Sequence, residues 1–256
     1  VSDIHPSAII HPRASLGTGV TVGPFSVIKE DVSIGDGTVI HSHVLVDDGA
    51  RIGANCKIHH GVALATPPQD LKYAGEKTTL EIGENTIIRE FCDLNRGTKH
   101  RMKTTIGSNC LFMAYSHVAH DCIVGDHVIT ANGVQLAGHV EVGDWVILGG
   151  LVAVHQFCKV GKHCLIGGGY RAVQDVPPYI LCAGEPLSYK GINSIGLRRR
   201  GFPAETIQQL RRCYKVIYRS KLNTSQALRH IDSEMDAIPE IQDVIEFIKQ
   251  SERGII

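Results

Sequence analysis

The chain has 256 residues, room for one large domain and one small one, and its 26 basic and 26 acidic side chains leave no formal net charge. A neutral chain with only 5% aromatic residues has neither the positive field nor the stacking platform of a nucleic-acid binder, and no apolar run approaches the ~20 residues of a stable membrane insertion. The opening VSDIHPSAII lacks the basic-then-apolar order of a signal peptide, and the eight cysteines include no CxxC pair, so the expectation is a cytoplasmic protein with reduced thiols and no zinc ribbon.

From the first residues the chain keeps a period of six. Ile4, Ile10, Leu16, Val22, Ile28, Ile34, Ile40, Val46, Ile52, Ile58 and Leu64 are all aliphatic. The series resumes at Ile82, Ile88 and Leu94, and again from Ile106 to Ile166. A small side chain often stands two residues earlier, as at Ala8, Ser26, Thr38 and Ser116. Two inward positions per hexapeptide predict a left-handed parallel β-helix: three short strands make an 18-residue triangular coil, and about ten coils stack at about 4.8 Å. Gly107, Gly125, Gly143 and Gly161, spaced by 18, mark one corner, where glycine is expected to supply unusual backbone angles. Cys56, Cys92, Cys110, Cys122, Cys158 and Cys164 fall on the small inward position and read as buried hydrophobes rather than nucleophiles.

Residues 65–79 and 97–104 lose the periodicity and read as two loops expelled from a corner. The repeat is expected to end near QDVPPY, whose two prolines cannot extend a ladder. Helical texture follows: Pro203 suits a first turn, Thr224 or Ser225 a cap, and Pro239 the start of a last helix. The expected division is a β-helix domain over 1–186 and a small α-helical domain over 187–256. Between residues 190 and 221 stand nine Lys or Arg against the single acid Glu205. That basic stretch is either a solvated helix face or a dock for an acidic protein.

No histidine of the repeat occupies an inward position. Folding the run after Ile106 with period 18 puts Gly138 one coil above His120, with His139 beside it, and Gln156 two coils above, with His155 beside it. His117 lies half a hexapeptide before His120, so His117, His120, His139, His155 and Gln156 share one patch. His127, Trp145 and His163 stack on another edge and read as structural. The patch admits a metal site or acid–base chemistry. Zinc needs about three converging nitrogens, whereas Gln156 and a bare glycine backbone suit substrate contact better. In the acid–base reading His120 is the base, Asp121 fixes its tautomer although neighbours in a strand usually diverge, and the Gly138 N–H faces a developing oxyanion. No metal is expected.

The motifs PPQDLKYAGE, SHVAHDC, LAGHV, GGLVAVHQFC, QDVPPY and GLRRRGF…YKVIYRS together resemble the UDP-N-acetylglucosamine O-acyltransferases of lipid A biosynthesis. The resemblance implies a homotrimer with active sites between neighbouring β-helices, and transfer of a (3-hydroxy)acyl chain from acyl carrier protein to the 3-hydroxyl of the UDP-sugar. No cofactor is bound; the acyl-phosphopantetheine arrives on the carrier. His120 matches the general base, Asp121 its partner and Gly138 the oxyanion donor. Gln69, Asp70, Lys72, His117, His139, His155, Gln156, Asn193, Arg199 and Arg200 match substrate contacts, and Gly168 the position that limits acyl length. Arg211, Arg212, Lys215 and Arg219 become the expected carrier-protein dock. Two departures stand out: Asn95 where a histidine is expected and Ile195 where a glutamate is expected. They leave open N-acylation of a 3-amino sugar. A non-catalytic β-helix scaffold is the remaining alternative.

Overall fold

In the computed structural model, which describes residues 3–256, the six-residue period becomes a three-sided prism. Most strands are only two residues long, and each pairs in parallel with the strand one coil above, as in Thr21↔Val39 and Ile129↔Ile147. The first sheet runs from Asp3–Ile4 through Leu165–Ile166 and beyond, the second from Ile9–Ile10 to Arg171–Ala172, and the third from Ser15–Leu16 to Lys159–Val160. Within each two-residue strand the second residue points inward and is buried from Val22 onward, as is, through Cys164, the residue two positions earlier. Ile4 is exposed and Ile10 half-buried because no coil lies beneath them. Stacking is thus the source of burial, as expected for a fold whose repeats cannot cover their own apolar face.

The corners correct one expectation. Gly107, Gly125, Gly143 and Gly161 do not adopt positive φ. They are needed because the next coil passes too close: a Cβ would lie 2.7 Å from Lys162 N at Gly143 and 2.5 Å from Pro178 N at Gly161. The left-handed residues stand two positions further on, at Asn109, His127, Trp145 and His163, with φ between 58° and 61°. The three corners all turn in this way, and Asp121 and His139 occupy left-handed positions at φ 59° and 64°.

All eight cysteines are buried and unpaired, and burial pushes thiols such as Cys122 up to about 12. The prolines do not end the ladder. Pro177 and Pro178 are buried at a corner, Val176 bridges Val160, and Ile180–Ala183 adds another parallel strand to the first sheet before pairing antiparallel with Ser188–Ile192. Four helices follow: α1 (Ser194–Arg199), α2 (Ala204–Arg219), α3 (Thr224–Glu234) and α4 (Pro239–Lys249). Pro203 and Pro239 open α2 and α4 as expected. The cap of α3 is Asn223 instead of Thr224 or Ser225, and it forms a capping box with Gln226. Tyr214 is fully buried, stacks with Tyr189 and Tyr218, and donates its hydroxyl to Pro178 O at 2.6 Å, fastening α2 to the prism. Among the described residues no helix is long and apolar enough to cross a membrane.

Candidate active site

Both expelled loops leave the prism at one corner. The first separates Ala63–Thr66 of the second sheet from Thr79–Ile82 of the third; the second separates Asp93–Asn95 from Lys103–Ile106. Residues 119–122, 137–140 and 155–158 turn the same corner in the coils above. One edge therefore carries both loops and His120, Asp121, Gly138, His139, His155 and Gln156.

His120 Nδ1 donates to Asp121 Oδ2 at 2.8 Å. Two neighbours in an extended strand would point apart; the left-handed angle at Asp121 turns its carboxylate back under the preceding ring. The second loop holds that carboxylate from below. Thr98 donates through Oγ1 at 2.6 Å and through its N–H at 3.0 Å, and Arg101 N–H adds a bond at 3.1 Å. Burial alone would raise the Asp121 carboxyl, but the donors from Thr98, His120 and Arg101 outweigh it and hold it below the ordinary carboxylate range. An ionised, fully buried Asp121 fixes the proton of neutral His120 on Nδ1 and leaves Nε2 as a bare base.

Gly138 closes over that ring. A Cβ there would lie 2.8 Å from His120 Nε2 and 2.7 Å from Cε1, so only glycine lets the coil pass. Among the described residues no protein acceptor takes the Gly138 N–H. His139 stands edge-on to His120, with ring centroids 5.0 Å apart, lies flat against Phe157 at 4.3 Å and is covered by His100 of the second loop. Burial pushes its imidazole below the usual value, and its buried Nδ1 has no partner among the described residues. Ligand atoms of His120, Asp121 and His139 fall within 4.8 Å of one another, a spacing a metal can bridge. Asp121 already receives four donors, however, and an ion would have to displace them. The donor set fits a carboxylate–imidazole base better than a metal cage.

On the adjoining face of the second sheet a cavity of about 440 Å³ is lined by His117, Gln135, Ala137, Ala153, His155 and Arg171, a volume suited to a small-molecule ligand. His117 and His155 thus meet there, as the period of 18 indicates. Gly168 sits at the far corner of this face, where a Cβ would come within 3.0 Å of Gly150 O. Gln69 reaches Asp93 at 3.4 Å, whereas Lys72 projects from the same loop beside the fully exposed Leu71, its N–H bonded to Asp70 Oδ1.

Other residues lie elsewhere in the single chain. Asn193 caps α1, accepting from Gly196 N and donating to His163 O. Arg200 donates to Trp145 O and lies against the Trp145 and His163 rings, and Arg199 is exposed nearby. These three belong to the corner between the third and first sheets, so one chain does not bring them to His120. Arg211, Arg212, Lys215 and Arg219 are exposed along α2, opposite its buried Ile207, Leu210, Cys213 and Tyr214.

Three residues escaped the sequence reading. Thr98 lies in the second loop, where periodicity gives no register. Arg253, from the C-terminal segment, places a guanidinium 3.3 Å from His155 Nδ1, and nothing local signals that return. Asp93 pairs with His117 across coils; it is 24 residues away because the loop adds six to the period, and continuing the Ile82, Ile88, Leu94 series would have found it.

A model of the hexapeptide family of bacterial transferases matches residues 103–138, and one of UDP-N-acetylglucosamine O-acyltransferase, domain 2, matches residues 175–256. The acyl-(acyl-carrier-protein)–UDP-N-acetylglucosamine O-acyltransferases of Thiobacillus denitrificans and Herminiimonas arsenicoxydans are 51% and 49% identical, each over the whole of both chains. Among solved structures, LpxA of Acinetobacter baumannii is 48% identical with a TM-score of 0.96 over 99% of both chains. The UDP-N-acetylglucosamine acyltransferase LpxA of Bacteroides fragilis is 45% identical with a TM-score of 0.97, over 98% of this chain and 99% of its own. With identity near one half along its full length and the same prism and helices, the chain belongs to the acyl-carrier-protein-dependent UDP-N-acetylglucosamine O-acyltransferase family.

Proposed function

We propose that this chain transfers a (3-hydroxy)acyl group from acyl carrier protein to the 3-hydroxyl of UDP-N-acetylglucosamine, the first step of lipid A biosynthesis. The observation that carries the reading is His120, held by a buried ionised Asp121 on one side and faced by the Gly138 backbone on the other. In this mechanism His120 Nε2 takes the sugar hydroxyl proton as the oxygen attacks the thioester carbonyl. Asp121 stabilises the imidazolium, and the Gly138 N–H donates to the oxyanion. The tetrahedral adduct collapses, the new ester forms, the thioester C–S bond breaks, and the proton on His120 passes to the departing phosphopantetheine thiolate. No enzyme nucleophile is required, since the sugar oxygen attacks the thioester directly, and the buried thiols take no part.

His117, His139, His155 and Gln156 are the proposed substrate contacts on this edge, with Gln69, Asp70 and Lys72 reaching it from a loop and Gly168 bounding the acyl groove. Asn193, Arg199 and Arg200 would act on the cleft of a neighbouring copy, which makes the homotrimer part of the reading. Two features favour association. Ile87, Leu111, Ile129, Ile147 and Leu165 form an apolar row on the outside of the first sheet, and Phe25, Phe91, Tyr115 and Leu151 are exposed along its edge. The exposed basic row on α2 is the proposed dock for the acidic carrier. A boundary at 186/187 follows from the same reading, with the helices beginning at Ser194. Eight unpaired buried thiols agree with a cytoplasmic setting.

The test is an acyl-transfer assay with carrier-protein donors of different chain length and two acceptors, UDP-N-acetylglucosamine and its 3-amino analogue. A base-labile ester on the hydroxyl sugar is the expected product. Turnover confined to the amino sugar would recast the chain as an N-acyltransferase and make Asn95 and Ile195 candidate specificity residues. Thioester consumption no faster than background with either sugar would leave only a scaffold.

A further inference from the structure

Asp93 lies on the outward side of the second sheet, directly beneath His117 in the ladder. His117 Nδ1 is 3.1 Å from Asp93 Oδ2 and 3.1 Å from the Asp93 carbonyl oxygen. Burial raises the Asp93 carboxyl, but hydrogen bonds from His117, Thr66 and Asn95 outweigh it and hold it below the ordinary carboxylate range. Both oxygens that face Nδ1 are then acceptors and nothing else. The neutral ring must carry its proton on Nδ1, which leaves Nε2 bare. His117 lines the cavity on the face that adjoins the His120 corner, so a second carboxylate–imidazole pair stands on the face next to the first.

Asp93 does more than hold one ring. It accepts from Thr66 Oγ1 at 2.9 Å, from Asn95 Nδ2 at 3.4 Å and from Gln69 Nε2 at 3.4 Å. One carboxylate therefore joins the 65–79 loop to the cavity wall. Asn95 Oδ1, buried in the same cluster, has no hydrogen-bond partner among the described residues.

We propose that Asp93 is a positioning residue that locks His117 as an Nε2 acceptor and ties Gln69 of the loop to the same carboxylate, so that the acceptor sugar is gripped through one of its own hydroxyl or amide N–H donors. The inference rests on the acyltransferase reading and deepens it. His120 takes the proton that leaves; His117 takes a hydrogen bond that stays. A fixed acceptor rewards a ligand that brings a donor and penalises one that does not, because the bare nitrogen is then left unpaired in a desolvated site.

Two measurements test it. Histidine side chains labelled with ¹⁵N, with His117→Gln used to assign the signal, should show a protonated Nδ1 and bare Nε2 for His117 at pH 8. In Asp93→Ala the Nε2–H form should become populated. In steady-state kinetics Asp93→Ala should raise KM for the UDP-sugar about tenfold, the loss of roughly one hydrogen bond, with KM for the acyl donor unchanged and kcat altered less than about threefold. Asp93→Asn, which keeps the shape and one acceptor oxygen, should recover part of the loss and carries the test if the alanine variant does not fold. A wild-type His117 with its proton on Nε2, or a folded Asp93 variant with unchanged KM for the sugar, overturns the proposal. The tautomer needs no substrate to be read, so a chain that fails to transfer acyl groups would refute the acyltransferase reading without hiding the state of the Asp93–His117 pair.

Discussion

Two corners of the prism carry histidines in the same repeat and with the same left-handed turns, yet they do opposite things. At the corner between the third and first sheets, the left-handed residues above Asn109 are His127, Trp145, His163 and Tyr179. Their rings lie nearly parallel, from 3.9 Å between His127 and Trp145 to 6.3 Å between Trp145 and His163. Asp126 and Asp144, one position earlier, accept from backbone N–H groups of the coil below. The rings there are spent on their neighbours one coil away and on the helical segment, with Asn193 donating to His163 O and Arg200 to Trp145 O. At the corner between the second and third sheets, the left-handed positions hold Asp121, His139 and Phe157. The coil below Asp121 is replaced by an inserted loop, and the residue above His120 is a glycine. One insertion supplies donors to a carboxylate, and one glycine opens space above an imidazole. A structural ladder becomes a site through those two changes.

The comparison breaks most visibly if the ring at position 120 is dispensable. His120→Ala should cut kcat by about 10³, the usual scale for a general base, with roughly 1 kcal/mol of stability lost because the buried Asp121 carboxylate gives up one of its four donors. Near-wild-type turnover in the acyl-transfer assay would end the acid–base reading. Gly138→Ala comes next. The added methyl would collide with His120, and relief requires the ring or the coil to move, so a loss of about 10² in kcat is expected. Turnover close to wild type, with the protein folded by circular dichroism, would mean that the glycine serves only the close passage of the coil.

The periodicity carried the fold and most of the candidate site, because inward and outward are decided by a six-residue register that a reader can count. Placing Gly138 over His120 needed only the number 18. Two things were not countable, and a third needed the count to be carried across an insertion. The turn that brings Asp121 back to His120 depends on φ at one residue, and aspartate in a repeat does not announce it. The corner glycines looked like torsional requirements; they are steric ones, visible only when the next coil is in place. The pairing of Asp93 with His117 crosses an insertion that shifts the local separation from 18 to 24. Contacts between the helical segment and the prism, such as Arg200 on Trp145, have no period and stayed hidden for that reason.

Thr98→Val sharpens the comparison by testing the insertion itself. It removes the 2.6 Å bond to Asp121 and keeps the shape and the backbone N–H donor. About a tenfold loss in kcat is expected, with roughly 1 kcal/mol of stability lost because the buried carboxylate is less well satisfied. A stability loss with kcat intact would make the loop a brace for the fold alone.

The smallest effect on turnover belongs to the other corner, whose signature should be thermodynamic. His127→Phe preserves a flat ring against Trp145 and should leave kcat within about twofold, since conservative stacking changes away from special features cost little. His163 offers a pH-dependent reading of the same stack. Burial, then the nearby Arg200 and Lys162 charges, push its imidazole down to about 4, whereas an unfolded histidine titrates near 6.5. Between those values the unfolded chain holds a proton that the folded chain refuses, so this ring's contribution is present above about pH 6.5 and fades as pH falls toward 4. The full shift would correspond to about 3 kcal/mol, and solvent screening at the half-buried ring brings that to roughly 1–2 kcal/mol. Urea unfolding at pH 7 and pH 5 should therefore show a smaller pH dependence in His163→Phe than in the wild type. Equal dependence in both would mean that the ring is hydrated in the folded chain, and the contrast between a sealed ladder and an open site would lose its physical basis.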